Sequence, residues 1–424
     1  MASETIRASA CRRASLLLAA ILAVGLFLGT GERAVAATVG LTPRGVLTIN
    51  GAPAFPIGLS GPPGIGALAP DGQDGLDVVA SAGVRVFRVV PPDRSWGAVD
   101  NTVVSEIQYA HQWDVAAARR KALTMVWLAR LAHAIPGTVY DQTLRRVVTS
   151  LASDAGLGLW KGSDEPFRQG RSASSLAYAY QTTHDLDPAH LTFLIEAPQG
   201  TAAQLAPYSA VTDVHGVDDY PVTFSHPRPS LVTVGDRTAL MASITPRRGV
   251  STTLAICSSA SWDHRGFGGF VVPTKRQMRF MAYDAIMHGA HALFFFGADN
   301  PHCLTPADQP LGWNWTYWRQ LAPLIRQLAP TSPLYPALLA PGTGIGLHSD
   351  DATIKAISRT IATGRVWILA ENRSSHSHRA AISGLPRGTT TATLFPSGRT
   401  KDVTHRTIQA AFKPWAVHVY IVAG

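Results

Sequence analysis

Cysteine is scarce in this 424-residue chain, with three residues in all, Cys11, Cys257 and Cys303. No CxxC or HExxH spacing is present, so no metal or cofactor is expected. Charged residues make up only 15% of the chain. They are scattered, with no Lys/Arg run long enough to form a nucleic-acid stripe, and nucleic acid is therefore not an expected partner. Long apolar runs are also missing, apart from Leu16 to Leu28, which is short for a bilayer span.

That run follows Arg7, Arg12 and Arg13 and precedes Ala34-Val35-Ala36, the pattern of a secretion signal over residues 1–36 with cleavage after Ala36. A retained anchor is the alternative reading. With cleavage, a secreted protein without stable membrane insertion is expected. The leader holds four arginines and two glutamates, so about +7 of the formal +9 stays with the remainder. A basic surface of this kind suits solubility and attraction to an anionic cell surface or polysaccharide. Outside the cell, Cys257 and Cys303 either pair as one disulfide or remain free thiols.

What the chain has in quantity is apolar residues, 46%, with 37 glycines and 29 prolines to punctuate them. Gly45 to Pro53 reads as a strand and an Asn-Gly turn, and Phe55 to Leu59 as the next strand. From there short apolar runs alternate with amphipathic ones. Strands are expected at Val84–Val90, Leu123–Leu128, Leu157–Trp160, Leu191–Ile195, Ala210–Val217, Ser251–Ile256 and Ala292–Phe296. Helices are expected at Asp74–Ala82, around Asp114–Lys121, and at Tyr140–Ala155, Ser172–Leu186, Val234–Ile244 and Trp315–Leu328. A further helix opens at the capping box Thr274-Lys275-Arg276-Gln277. Eight such units predict a parallel sheet closed into a (β/α)8 barrel over residues 37–331, with an open doubly wound sheet as the alternative. Past Pro330 only short β-rich runs between turns remain, which predicts a small antiparallel β-sandwich over residues 332–424.

The quoted segments resemble known enzymes. "LTINGAPAFPIGLS" is similar to the entry hairpin and first strand of clan A-type TIM-barrel glycoside hydrolases. "LWKGSDEP" resembles their fourth-strand exit, "TDVHGVDDYPV" their sixth strand, and "PTKRQMRFMAYDAIMHGAHALFFFG" their seventh helix and eighth strand. "GRVWILAEN" and "FKPWAVHVYIV" are similar to the β-sandwich that often follows such barrels. The resemblance implies an α/β TIM barrel cleaving O-glycosidic bonds in a poly- or oligosaccharide, with Glu165 in the position of the acid/base. It departs at the seventh strand, where Ile256-Cys257-Ser258 replaces the nucleophile Glu, and at Asp164, which stands for the usual Asn.

Glycoside hydrolysis needs two carboxyl groups about the bond. Glu165, at a strand exit, is expected as general acid. Asp218 is first choice for the second carboxylate, ahead of Asp299 and Glu196, and Asp219 is expected to face away. Asp164, Tyr220 and Asp299 are expected to bind substrate, with Trp262 and Trp313 as stacking platforms and Trp160 and Trp315 as further aromatics near strand exits. His215, inside a strand, reads as a core histidine. The missing seventh-strand Glu leaves open a barrel that binds polysaccharide without cleaving it, and a lyase or transglycosidase is a third reading.

Overall fold

A computed structural model describes residues 36–92, 96, 100–223, 230–257 and 270–423. The expected leader and Trp262 lie outside the described residues. A three-stranded antiparallel sheet of Val39–Leu41, Leu47–Ile49 and Ala52–Ala54 comes first, its last two strands joined by the Asn50-Gly51 turn.

Eight parallel strands then close on themselves: β1 (Ile57–Leu59), β2 (Val86–Val89), β3 (Leu123–Trp127), β4 (Leu157–Asp164), β5 (Leu191–Glu196), β6 (Val214–Asp218), β7 (Gly249–Ala255) and β8 (Ala292–Phe296). β8 pairs with both β7 and β1, which completes the ring. The (β/α)8 barrel is therefore observed, and the open-sheet alternative falls.

Around it lie α1 (Gly75–Ala82), α2 (Asp100–Ala118), α3 (Val139–Leu151), α4 (Ala177–Leu186), α5 (Thr233–Ile244), α6 (Lys275–Met287) and α7 (Trp315–Leu328). Side-chain caps start several of them: Asp74 accepts from Asp77 N, Thr138 from Asp141 N, and Thr274 forms the expected capping box with Gln277. Of the boundaries that differ from expectation, two have a plain local cause. α2 begins at Asp100, well before the expected stretch, because Val103, Ile107, Ala110, Trp113 and Ala117 form a buried stripe at helical spacing among polar neighbours. β6 begins at Val214, because Ala206–Val211, with Pro207 at its start, forms a 3-10 turn.

Cys257, just past β7, is disulfide-bonded to Cys303, in the segment after β8, with Cα atoms 6.1 Å apart. Closing a loop of that length restricts the unfolded chain by about 4 kcal/mol in the chain-entropy account.

The tail forms β9 (His348–Ser349), β10 (Ile354–Thr360), β11 (Val366–Asn372), β12 (His378–Ser383), β13 (Thr391–Phe395), β14 (Thr400–Thr404), β15 (Thr407–Phe412) and β16 (Val417–Val422). They hydrogen-bond antiparallel in the order β9-β12-β15-β14-β13-β16-β11-β10. Ile368 and Tyr420 from one part share a core with Ile382, Ile408 and Phe412 from the other, so the sheet folds over itself as a sandwich. Its outer face packs on the barrel. Trp367, Leu369 and Val419 belong to the barrel's main core, and Phe280 of α6 meets Trp415 at 5.1 Å. Barrel and sheet thus form one compact unit, Ala37–Gly424.

Candidate active site

Alternate residues of each barrel strand face the lumen. Val86, Leu123, Met125, Leu159, Phe193, Ile195, Val214, Ala292 and Phe294 fill its lower part as one apolar cluster. Two to four residues further along the same strands the character changes. β2 supplies Arg88, β3 Trp127, β4 Lys161, β6 Asp218 and β8 Phe296. This polar layer lies at the C-terminal ends of the strands, where barrel enzymes place their chemistry.

Lys161 is wholly buried, and its ammonium forms an ion pair with Asp164. A register shift between Lys161 and Asp164 brings both to one side of β4. The ammonium also lies 5.1 Å from the Trp127 ring centroid, and the Trp127 indole N–H donates to Gly162 O at 3.1 Å. Above it the Arg88 guanidinium lies between two rings, 5.7 Å from Trp127 and 5.8 Å from Phe296. Burial alone would raise the Asp164 carboxyl, but Lys161 and Arg88 overcome it and hold that group below the ordinary range.

Across the lumen Asp218 is buried and accepts a 3.2 Å hydrogen bond from the Tyr220 hydroxyl, while its Oδ1 has no hydrogen-bond partner. Burial first, then the charges of Glu165 and Asp164, push Asp218 well above the usual carboxyl range, against the opposing pull of Lys161 and Tyr220. Tyr220 stacks on Phe296 with centroids 5.9 Å apart.

Glu165 follows β4 directly with a φ of +46°. A left-handed backbone at a residue other than glycine costs about 1 kcal/mol or more and persists where its surroundings hold it. Here Glu165 N donates to Ile195 O at 2.7 Å, Gln169 Nε2 donates to Asp164 O at 2.7 Å, and Arg168 Nη1 donates to the Glu165 carboxylate at 2.8 Å. The Glu165 side chain keeps 20% of its surface exposed.

The other expected residues separate. Glu196 is the neighbour of lumen-facing Ile195 and turns the other way, where it accepts from Phe167 N at 3.1 Å and anchors the loop that carries Glu165. Burial, opposed by that hydrogen bond and joined by the Glu165 and Asp164 charges, raises it to about 8. Asp219 is buried and, by strand alternation, faces away from the lumen, with Thr233 of α5 as its side-chain partner. Asp299 is exposed at the rim, its carboxylate so close to Gly61 that any side chain there would meet it at 2.1 Å.

Trp313, expected as a platform, is instead 1% exposed, packed against Trp315 and Trp318, and its indole donates to Gly61 O at 2.8 Å. A ring sealed on both faces cannot stack on a sugar, so its place is in the wall. Trp315 is buried in the same cluster. Trp160 is also sealed, pointing away from the lumen with its indole on Asp187 at 2.7 Å. His215 is buried and held neutral by burial, with its value pushed down to about 3.

Four residues of the layer carried no expected role: Arg88, Trp127, Lys161 and Phe296. The signal was a cation inside an apolar strand, in "VRVFRVV" and "LGLWKG", where only an inward partner or ligand justifies the burial.

Among the described residues one trio, Asp284, His288 and Glu371, brings ligand-type atoms within 4.8 Å of one another. It lies away from the mouth, between α6 and β11. His288 Nδ1 already meets Asp284 O at 2.7 Å, and Arg373 Nε is 3.4 Å from the Asp284 carboxylate. Gly235 N donates to Asp284 at 2.8 Å. A guanidinium already supplies the positive charge, and the trio reads as part of a structural ion cluster.

No protein-family model matches the chain, and no curated protein matches it in sequence. Solved structures do. A protein titled "Glycoside hydrolase" superposes with a TM-score of 0.55 at 11% identity, covering 91% of this chain and 96% of its own. A glycoside hydrolase family 5 protein from Bacteroides vulgatus gives 0.57 at 12% identity, covering 91% and 93%. An α-amylase from Geobacillus thermoleovorans, complexed with acarbose, gives 0.55 at 10% identity, covering 82% and 92%. The likeness is one of fold. This chain shares the barrel and C-terminal sheet arrangement of glycoside hydrolases, and its chemistry has to be argued from its own side chains.

Proposed function

We propose that this protein is an exported glycoside hydrolase acting on a poly- or oligosaccharide through the Glu165–Asp218 pair. What supports the reading is position: Glu165 directly follows β4 and Asp218 ends β6, at the strand ends where barrel enzymes place their chemistry, and the Glu165 charge joins burial in raising Asp218. Environments that push two carboxyl groups apart assign acid and base. Asp218, buried and raised, holds the proton in the resting protein, while Glu165 accepts from Arg168 as a carboxylate. This reverses the roles expected from the resemblance: Asp218 donates to the departing oxygen, and Glu165 acts on the sugar directly or through a water.

The test compares Asp218→Asn and Glu165→Gln on paired glycosides with poor and excellent leaving groups. Both variants are expected to lose about 10²–10⁴-fold on natural linkages. With a dinitrophenyl glycoside, which departs without a proton, Asp218→Asn recovers activity and Glu165→Gln does not. The opposite pattern returns the acid role to Glu165.

One observation favours a second reading, a barrel that binds polysaccharide without cleaving it. Among the described residues β7 presents only the hydroxyls of Ser251 and Thr253 to the lumen, beside Asp218. Glycan binding with no turnover on any linkage would establish it.

A further inference from the structure

Among the described residues, the mouth carries a cation that no carboxylate pairs with directly. Lys161 is taken by Asp164, Arg168 by Glu165, and Asp218 has the Tyr220 hydroxyl. Arg88 makes no hydrogen bond and no ion pair among the described residues, and its Nε is buried without a partner. A guanidinium does not shed its proton to escape burial, so its charge asks for a counter-ion. The rings of Trp127 and Phe296, 5.7 and 5.8 Å away, help to orient the planar group, which suits two-point recognition of a planar carboxylate.

Neighbouring lumen atoms are polar and equally unclaimed. Ser60 Oγ just past the adjoining β1, and Ser251 Oγ and Thr253 Oγ1 on β7, are buried without hydrogen-bond partners among the described residues. Such hydroxyls suit the ring and exocyclic oxygens of a sugar better than an apolar ligand. The chain as a whole bears a formal charge of +9, which draws polyanions toward it from a distance.

We propose that the barrel mouth takes a sugar bearing a carboxylate, a uronic acid residue within a polysaccharide, with Arg88 clamping the carboxylate. The inference rests on the reading of the mouth as a sugar site and is independent of whether the bound sugar is cleaved.

The experiment is calorimetric titration of the full secreted chain, carrying Glu165→Gln so that turnover is removed from the readout. The probes are oligogalacturonides, hyaluronan oligosaccharides, their methyl esters, neutral cello- and xylo-oligosaccharides, and sulfated galactan oligomers. At least one uronide series is expected to bind tenfold or more tighter than its own methyl ester and than any neutral oligomer. Arg88→Gln should erase that difference while leaving the methyl ester's affinity unchanged, and Arg88→Lys should restore part of it. The ester comparison uses folded protein with Arg88 intact, so it holds even if an Arg88 variant fails to fold.

Equal binding of acid and ester, or preference for neutral or sulfated oligomers, overturns the inference and leaves the hydrolase proposal standing. Uronide binding by this chain, with no cleavage of the same oligomer when Glu165 is present, keeps the inference and removes the hydrolase.

Discussion

Two buried charge clusters lie in this molecule, one at the barrel mouth and one where α6 meets the C-terminal sheet. At the mouth the cations Lys161 and Arg88 lie with Asp164 and a raised Asp218, and Arg88 has no ion-pair partner among the described residues. At the junction Asp284 and Glu371 are both fully buried, with Arg373 Nε 3.4 Å from the first and 3.9 Å from the second. There the excess is carboxylate. Burial, the Asp284 charge and a hydrogen bond with Asp284 raise Glu371 well above its ordinary value, so a proton supplies what Arg373 does not. A cluster that completes itself with its own proton is a structural joint. One that keeps a cation waiting at an open strand end is the arrangement on which the proposed sugar site rests.

That contrast can be broken. The largest effect is expected from Arg373→Met, which strips Asp284 and Glu371 of their cation and should cost about 3–5 kcal/mol in chemical unfolding while sparing turnover of the surviving folded protein. Loss of activity without loss of stability would deny the junction its structural role.

The next concerns pH. Glu196 has a folded value of about 8 against an ordinary 4.5, so the native state holds a proton that the unfolded chain releases. Its contribution is complete below about pH 4.5 and declines as pH rises toward 8, on the order of 5 kcal/mol in all. Glu371 has the same sign. Unfolding midpoints at pH 5 and pH 8 should differ in the wild type, and Glu196→Gln and Glu371→Gln should each flatten the slope. A slope unchanged in both variants would remove these carboxyls as its source.

Lys161→Met should cost about 3 kcal/mol, less than the junction variant because Asp164 keeps 36% of its side chain exposed to solvent. Unlike Arg373→Met it should also depress glycan binding, which a titration on the folded variant would show. Gly235→Ala is the smallest, about 1–2 kcal/mol. Its methyl would lie 2.3 Å from the Asp284 carboxylate and 2.4 Å from His288 Nδ1, and only thermal stability should move.

Much of the frame was legible because burial writes a period into the chain. β3, β4, β5 and β8 are built on short, buried and mainly apolar runs, and the stripe of α3 is spaced as a helix. In the tail, two of the strands among the described residues leave little local signal. β9 has two residues, and β14, Thr400–Thr404, is mostly exposed and carries no apolar alternation. Such strands are specified by the neighbours they pair with.

At the site, Glu165 and Asp218 were legible because each closes an apolar run with an acid. Trp313 was misplaced because a tryptophan near a strand end looks alike whether its faces are open or sealed. Glu196 resembled the other two acids, yet its side is decided by the lumen-facing position of Ile195 beside it.

By itself the sequence determined the alternation of strands and helices, the change of texture past Pro330 and the set of acids at strand ends, since these follow from local period and residue type. Only the tertiary structure decided that Glu196 and Asp219 turn away from the lumen, that burial raises Asp218, that Cys257 pairs with Cys303, and that Arg88 has no hydrogen-bond or ion-pair partner among the described residues. Each of these depends on distances between segments far apart in the chain, and the charge of a buried group is set by whatever is brought beside it.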